Sequence, residues 1–240
     1  MNPVLYGKEH IIYLIVSFSV TIILLFVIKK YVKREKTLII IAKLTGILLL
    51  AAVMLNRASV MVKDGETNLL HLLPTTFCGC ASTFLALGAI FLKKDNFIYH
   101  SILYLALVGG TATLFYPDFI GQAPSVFYLP TISGLLHHSI HLFLALYLIL
   151  TRQVYPTLKK YFYLPLGLCC LMTLGIFEIN ALKFSGCMEI GREFISGTRL
   201  TWYSVGAIFL VLHFFFLLTF DVLRKKEKYN KPYKNNIRKA

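Results

Sequence analysis

Charged side chains are scarce in this chain, and acidic ones are the scarcest. Only 15% of its 240 residues are charged, with 11 acidic residues against 25 Lys and Arg. Hydrophobic residues make up 57% of the sequence, well above the usual share in soluble domains. These proportions exclude an ordinary soluble globular protein, and the length leaves room for about one domain.

Cysteine is also sparse, and internal repeats are absent. The five cysteines are Cys78, Cys80, Cys169, Cys170 and Cys187. Their odd number and scattered positions exclude a disulfide framework. Cys78 and Cys80 would point about 200° apart on a helix, so they are not a metal-binding pair. We therefore expect neither a metal nor another cofactor, and the lack of a repeat excludes a solenoid.

Long apolar runs are what the chain has in abundance, and its mean hydropathy is +0.69. A membrane-spanning helix needs about 20 mainly apolar residues. Seven windows meet this rule: residues 11–28, 38–55, 69–92, 97–115, 126–150, 161–177 and 200–223. The predicted fold class is all-α, a polytopic membrane bundle of seven transmembrane helices. Residues 1–223 would form this domain, and residues 224–240 a basic tail.

The basic residues indicate the orientation of the bundle. Segments 29–36, 93–94, 152–160 and 224–239 hold 18 of the 25 Lys and Arg, whereas the loops on the other side hold six. Loops rich in positive charge stay in the cytoplasm, so the N-terminus is predicted outside and the C-terminus inside. Without a small-residue cleavage site after the first span, we expect no cleaved signal peptide. We expect a multi-pass protein of the cell membrane.

The net charge of +14 raises the question of a nucleic-acid partner. The positive charges are concentrated in the loops of one side and in the tail, and the orientation of the bundle in the membrane explains this distribution instead. Basic residues next to a membrane attract anionic lipid headgroups by about 1 kcal/mol each. We therefore expect membrane phospholipids as partners and no nucleic acid.

Three histidines lie deep inside the fifth predicted span: His137, His138 and His141. Polar side chains at such depth usually face a cavity or a polar partner on another helix, and many are functional. His137 and His141 share a helix face, and His138 lies close to it. The alternative is that they only form hydrogen bonds between helices.

Cys78 lies at a depth similar to that of His138. Counted from residue 69, Cys78 lies about 13–14 Å into its span, and His138 lies about 18 Å from residue 126. A thiol next to an imidazole is the smallest unit of an activated cysteine nucleophile. The alternative is that Cys78 is a small apolar filler.

Other polar residues of the outer half are candidates to complete a polar vestibule around this pair. They are Thr76, Asp118, Glu178, Asn180 and Tyr203. Two prolines, Pro74 and Pro130, are expected to kink the outer parts of the third and fifth spans.

Several short motifs resemble those of a known family. Residues 73–78, Leu-Pro-Thr-Thr-Phe-Cys, resemble the Leu-Pro-Leu-His-Leu-Cys signature of the YwaF-like bacterial integral membrane proteins. Residues 116–119, Tyr-Pro-Asp-Phe, resemble the Thr-Pro-Asp-Leu of the same family. The spacing from His138 to the pair at residues 146–147 also matches, as do Asn180 and the Trp-Tyr pair at residues 202–203.

The YwaF-like family is similar to the eukaryotic transmembrane protein 164 acyltransferases, which move fatty acyl groups between phospholipids. The resemblance implies a seven-span bundle with Cys78 as the acyl-accepting thiol and His138 as its base. It also has departures: the family's histidine before the cysteine is Thr76 here, and the glycine after the fifth-span histidine is Ser139. The Asn-Tyr pair after the sixth span is reduced to Asn180, and His137 is an additional candidate base.

Two classes of function follow. The first is a membrane lipid acyltransferase or acyl hydrolase with Cys78 and His138 as catalytic residues. Supporting roles would fall to Thr76, Asp118, His137, Ser139, His141, Asn180 and Tyr203. The alternative is a small-molecule or proton-coupled transporter, or a binding protein, in which the histidines matter and Cys78 does not. A b-type haem held by His141 and His213, which fall at similar depth, is a further alternative.

Overall fold

The computed structural model describes residues 5–117, 125–191, 193 and 197–237. Over these residues the chain is helical and contains no strand. The seven α-helices are α1 (Lys8–Tyr31), α2 (Glu35–Lys63), α3 (Phe77–Phe91), α4 (Phe97–Phe115), α5 (Leu129–Leu150), α6 (Tyr163–Ala181) and α7 (Trp202–Ile237). The predicted all-α membrane bundle is confirmed.

Six of these helices are long and apolar enough to cross a membrane, and α3 is the exception. Residues 69–92 were predicted as one span, but they form a 3₁₀ helix at Leu69–Leu72, a short extended segment and then α3, which has only 15 residues. Proline lacks the backbone N–H that a helix interior needs, and Pro74 lies in the interruption. The hydroxyl of Thr76 then accepts a hydrogen bond from the Gly79 N–H at 3.1 Å and caps α3.

Pro74 and Pro130 lie before a helix and in the first turn of one, not in helix interiors. Pro130 lies in the first turn of α5, where its missing N–H costs no intrahelical hydrogen bond. Pro74 precedes α3. The kinks predicted at Pro74 and Pro130 are therefore corrected to helix starts.

Helix α5 lies at the centre of the bundle. It packs most extensively against α2 and α4, and α3 fills the space between α2 and α4. Helix α6 covers α4, and α1 packs against α5. The apolar side chains of α1, such as Ile15 and Phe26, are largely exposed, as expected of a helix that faces lipid.

One loop contact shows that two predicted cytoplasmic loops share a side of the membrane. Asp95, before α4, accepts hydrogen bonds from His100 Nε2 at 2.8 Å, from the Tyr155 backbone N–H at 2.9 Å and from Lys160 Nζ. Partial burial of Asp95 opposes its ionisation, but these three hydrogen bonds outweigh it and hold the pKa of the carboxyl group below its ordinary value. This contact supports the prediction that successive loops alternate between the two sides of the membrane. The cytoplasmic location of these two loops stays a prediction.

Small residues let α6 approach α4 closely. A β-carbon built on Gly167 would lie 2.7 Å from the Ser101 β-carbon and 2.8 Å from its carbonyl oxygen. Such contacts between small residues replace the hydrophobic effect as the source of helix association in lipid.

Gly167→Ala should therefore destabilise the bundle, because backbone atoms of α4 would have to move. We expect a loss of about 1–3 kcal/mol, the usual cost of overpacking. Thermal unfolding of the purified protein in detergent would show this as a lower Tm, by about 2–4 °C per kcal/mol at this chain length.

Gly206→Ala is the matched control, because a β-carbon at Gly206 meets no atom within 4 Å. It should leave Tm unchanged or raise it slightly, since alanine is the better helix former. Equal Tm values for the two variants would show that close α4–α6 packing is not needed.

Candidate functional site

Cys78 is the second residue of α3, and its thiol faces α4. The sulfur lies 3.8 Å from Thr113 Oγ1. A β-carbon built on Gly109 would lie only 3.1 Å from the same sulfur. Cys78 is half-buried, so a bound substrate has access to it. The absence of a side chain at Gly109 therefore provides the space in which the thiol lies.

The backbone of His138, on α5, approaches Gly110, which follows Gly109 on α4. Its carbonyl oxygen would lie 3.4 Å from a β-carbon built on Gly110, so α5 also comes close to α4 here. The imidazole is buried, and its ring centroid lies 4.0 Å from that of His137. The side chain of Cys78 and the backbone of His138 thus contact α4 at two consecutive glycines.

A hydrogen bond between Ser82 and His141 fixes the position of α3 along the axis of α5. Ser82 Oγ lies 3.0 Å from His141 Nδ1, and both residues are fully buried. Cys78 precedes Ser82 by four residues, and His138 precedes His141 by three. At 1.5 Å per residue, Cys78 lies about 6 Å and His138 about 4.5 Å from that hydrogen bond, each along its own helix. The two residues therefore precede the hydrogen bond by similar distances.

The direction of His138 can be read from its neighbours on α5. His141 points to α3, where it meets Ser82. Leu142 points to α4, where its β-carbon would lie 3.5 Å from one on Gly110. At 100° per residue, His138 lies about 60° from His141 on the side of Leu142, which itself lies about 100° away. His138 is therefore directed between α3 and α4, the side on which the thiol lies.

The thiol's own hydrogen-bond partner is Thr113. Within the described ranges no hydrogen bond joins Cys78 to an imidazole. Catalytic hydrogen bonds are often long in a site without substrate and shorten when substrate binds. The predicted roles of Cys78 and His138 stay predictions.

The three histidines of α5 have nitrogens without a hydrogen-bond partner. These buried atoms are Nδ1 and Nε2 of His137, Nδ1 of His138 and Nε2 of His141. Because most buried polar groups in proteins are paired, these nitrogens are candidates for contacts with a ligand or water. The rings of His137 and His138 lie beside each other, tilted by 35°.

The other predicted support residues lie in four different environments. Thr76 caps α3 directly before Cys78. Ser139 is turned toward α1, where it is 2.8 Å from both Tyr13 Oη and Ser17 Oγ. Asn180 is exposed and donates to the Ile176 carbonyl.

Tyr203 is also exposed, with its ring stacked on Trp202 at 3.7 Å. Asp118 lies outside the described residues. Thr76 thus caps the helix that carries the thiol, whereas Ser139, Asn180 and Tyr203 make their contacts elsewhere.

Sequence patterns alone did not single out Thr113, Ser82 or the lining role of Gly109 and Gly110. The available signal was the density of small residues at 109–113, Gly-Gly-Thr-Ala-Thr. Thr113 follows Gly109 by one helical turn, so the gap and the hydroxyl lie on one face of α4.

Cys80 belongs to a different cluster, on the face of α3 opposite to the site. Its thiol donates to the Pro74 carbonyl at 3.0 Å and packs near Leu171 of α6. Glu178 of α6 is also buried and interacts electrostatically with Arg57 of α2. In the described part of the chain, no group of three or more His, Cys, Asp or Glu side chains is arranged to hold a metal ion.

A model of the TMEM164 family matches residues 5–220, nearly the whole chain. The chain belongs to the TMEM164 family. The resemblance drawn from its motifs is therefore confirmed at the level of the family. Neither the curated proteins nor the solved structures gave a match.

The match covers all the helices that build the site in this TMEM164 family member, α3, α4 and α5. Family membership also agrees with a multi-pass membrane protein. The six long apolar helices of the chain indicate the same independently.

Ser82→Ala should loosen the contact between α3 and α5. The substitution leaves the buried His141 Nδ1 without its partner, which costs about 1–3 kcal/mol. We expect a lower Tm in detergent, measured as for Gly167→Ala.

Thr173→Ala is the comparison for Ser82→Ala. Thr173 is exposed on α6 and donates only to the Cys169 carbonyl of its own helix. Its loss should change Tm little, and an equally small effect of Ser82→Ala would mean that the buried hydrogen bond does not set the α3–α5 contact.

Proposed function

We propose that this protein is an integral membrane acyltransferase that acts on phospholipids, with Cys78 as nucleophile and His138 as general base. One observation carries the proposal: the Cys78 thiol and the α5 backbone at His138 contact consecutive glycines of α4, and His138 lies on the face of α5 between α3 and α4. Membership of the TMEM164 family supports it.

The first half-reaction is acyl transfer to the enzyme. His138 removes the thiol proton of Cys78, and the resulting thiolate attacks the carbonyl carbon of a phospholipid ester. A carbon–sulfur bond forms and the ester carbon–oxygen bond breaks. The departing oxygen takes the proton from His138, so the lysolipid leaves as an alcohol and the acyl group stays on Cys78 as a thioester.

The second half-reaction returns the thiol. The hydroxyl group of an acceptor lipid gives its proton to His138 and attacks the thioester carbonyl. The carbon–sulfur bond breaks, and the sulfur regains its proton from His138. With water as the acceptor, the same steps release a fatty acid, so a hydrolase differs only in the acceptor.

Two features of this chain support a thiolate at Cys78. Cys78 is in the first turn of α3, where the helix dipole stabilises a negative charge. Thr113 Oγ1, 3.8 Å from the sulfur, is positioned to hold the thiol or to donate to the oxyanion that forms on the acyl carbonyl. Of the predicted supporting residues, Thr76 is on the same helix end as Cys78, where its hydroxyl oxygen accepts the capping hydrogen bond from the Gly79 N–H.

Cys78→Ser should abolish formation of the acyl-enzyme and leave the fold intact, because only one atom changes at a half-buried position. Purified protein incubated with phosphatidylcholine would be analysed by mass spectrometry for an acyl group that hydroxylamine removes. The wild-type protein should carry this group at Cys78, and His138→Gln should carry about 100-fold less or lower, as expected for loss of a general base.

Cys169→Ser is the control, because Cys169 is exposed on α6 and has no part in the site. It should acylate like the wild-type protein. Identical lipid profiles in membranes that contain wild-type or Cys78→Ser protein would contradict the proposal.

Thr113→Val should slow acylation of Cys78, because it keeps the shape of the side chain and removes the hydroxyl. We expect a loss of about tenfold or more in the acylation rate, equivalent to at least about 1.4 kcal/mol. Thr113→Ser retains the hydroxyl and should restore most of the rate. A purely structural role for Thr113 would instead lower Tm in both variants without a difference in rate between them.

A second candidate function is favoured by the unpaired imidazole nitrogens of α5. Buried, unpaired histidines also suit a proton-coupled transporter or a binding protein. In that case His137→Gln would abolish function in a transport assay, and Cys78→Ser would have no effect on it.

A further inference from the structure

The loop that follows α6 packs onto the segment that leads into α3. We call residues 182–190 the α6 loop. The Met188 backbone N–H donates a hydrogen bond to the Thr75 carbonyl at 2.8 Å. Thr75 precedes Cys78 by three residues, and Thr76 between them caps α3. The α6 loop is therefore bound to the residues that begin the helix of the proposed nucleophile.

The side chain of Met188 anchors this loop. It is fully buried and packs with Cys80 of α3 and Leu171 of α6. A β-carbon built on Gly175 of α6 would lie 2.6 Å from Met188 Cγ and 2.9 Å from its β-carbon. The glycine thus leaves the space that Met188 fills, and one side chain joins α6, the loop and α3.

A ring contact holds the start of this segment. The Phe184 ring of the α6 loop lies beside the His71 ring, with centroids 4.9 Å apart. The His71 carbonyl accepts a hydrogen bond from Arg57 Nη2 of α2 at 2.6 Å. Residues 71–75 are therefore held between α2 and the α6 loop.

The backbone of the α6 loop is strained where it meets this segment. Met188 has φ 50° and ψ 31°, and Glu189 has φ 51°. L-residues rarely adopt this left-handed conformation, which persists only where the surrounding structure imposes it and is common at functional sites. The buried Met188 side chain and the hydrogen bond to Thr75 are contacts that impose it here.

We propose that Met188 is a positioning residue for Cys78; its effect on acyl transfer rests on the proposed function. Met188 packs with Cys80, on the face of α3 opposite to the site, so it acts through the helix and does not touch the substrate. The first turn of a helix has backbone N–H groups without intrahelical partners, so its cap and its tertiary contacts hold it. Cys78 lies in that turn. The hydrogen bond from Met188 to Thr75 fixes the turn with the thiol directed at Thr113.

The test compares two substitutions of Met188. Full-length protein in detergent would be incubated with phosphatidylcholine, and acylation of Cys78 would be followed by mass spectrometry. Met188→Ala removes the packing and should slow acylation by about tenfold or more, because small displacements of reacting groups are costly. Met188→Leu conserves most of the buried volume and should retain most of the rate.

Gly175→Ala tests the same contact from the other side, because the added methyl group displaces Met188. It should also slow acylation, and it stands in for Met188→Ala if that variant does not fold.

Leu164→Ala is the matched control. Leu164 is likewise fully buried on α6, but it belongs to a different core cluster, with residues of α2, α4 and α5. The substitution should lower Tm, as Met188→Ala does, and leave the acylation rate of the folded protein unchanged. An equal loss of rate in Leu164→Ala and Met188→Ala would assign the effect to stability and overturn the proposal.

A second readout does not need acyl transfer. Iodoacetamide alkylates accessible thiols, and a loosened first turn of α3 exposes Cys78. Met188→Ala should therefore speed alkylation of Cys78 by about threefold or more, as expected for local opening, whereas Leu164→Ala should not.

The two readouts separate this inference from the proposed function. Faster alkylation of Cys78 in Met188→Ala alone, without any acylation of the wild-type protein, would retain the positioning role and reject the acyltransferase. Equal alkylation rates in the wild-type, Met188→Ala and Gly175→Ala proteins would overturn the positioning role.

Discussion

The close approach of α4 to both α3 and α5 is the constraint on which the candidate site depends. Gly109 leaves the space for the Cys78 sulfur, and Gly110 lets the backbone of α5 come near at His138. A β-carbon at Gly109 would lie 3.1 Å from the Cys78 sulfur, whereas one at Gly110 would lie at ordinary contact distances of 3.4–3.7 Å from α5. Because lipid provides no hydrophobic drive for helix association, close contacts between helices are also what stabilises the bundle. The position of the thiol therefore depends on Gly109.

Buried polarity on α5 follows from its central position. A helix surrounded by protein can carry imidazoles that would be too costly on a lipid-facing helix such as α1. The Ser82–His141 hydrogen bond satisfies one nitrogen and aligns α3 with α5. Four of the unpaired buried nitrogens belong to the three histidines of α5. The opposite side of α5 bears Ser139, which is hydrogen-bonded to α1 and serves as a packing contact.

Hydropathy, charge distribution and motif order were sufficient for the fold class and the family, because a spanning helix is defined by local length and apolarity. The same local rules failed at the third span. Their window average ran through Pro74 and Thr76, whereas backbone hydrogen bonding starts α3 only at Phe77. Pro130 was read as a kink for a related reason: its effect depends on whether it lies inside a helix or in its first turn.

The sequence by itself determined a helical membrane bundle, since a spanning helix is defined by local length and apolarity. It also predicted similar depths for Cys78 and His138, because helical rise converts residue counts into distance. Only the tertiary structure decided which faces meet. It turned Cys78 toward Thr113, directed Cys80 away and moved Ser139 to α1. Depth is a property of one helix, whereas rotation and neighbours depend on how side chains of different helices pack together.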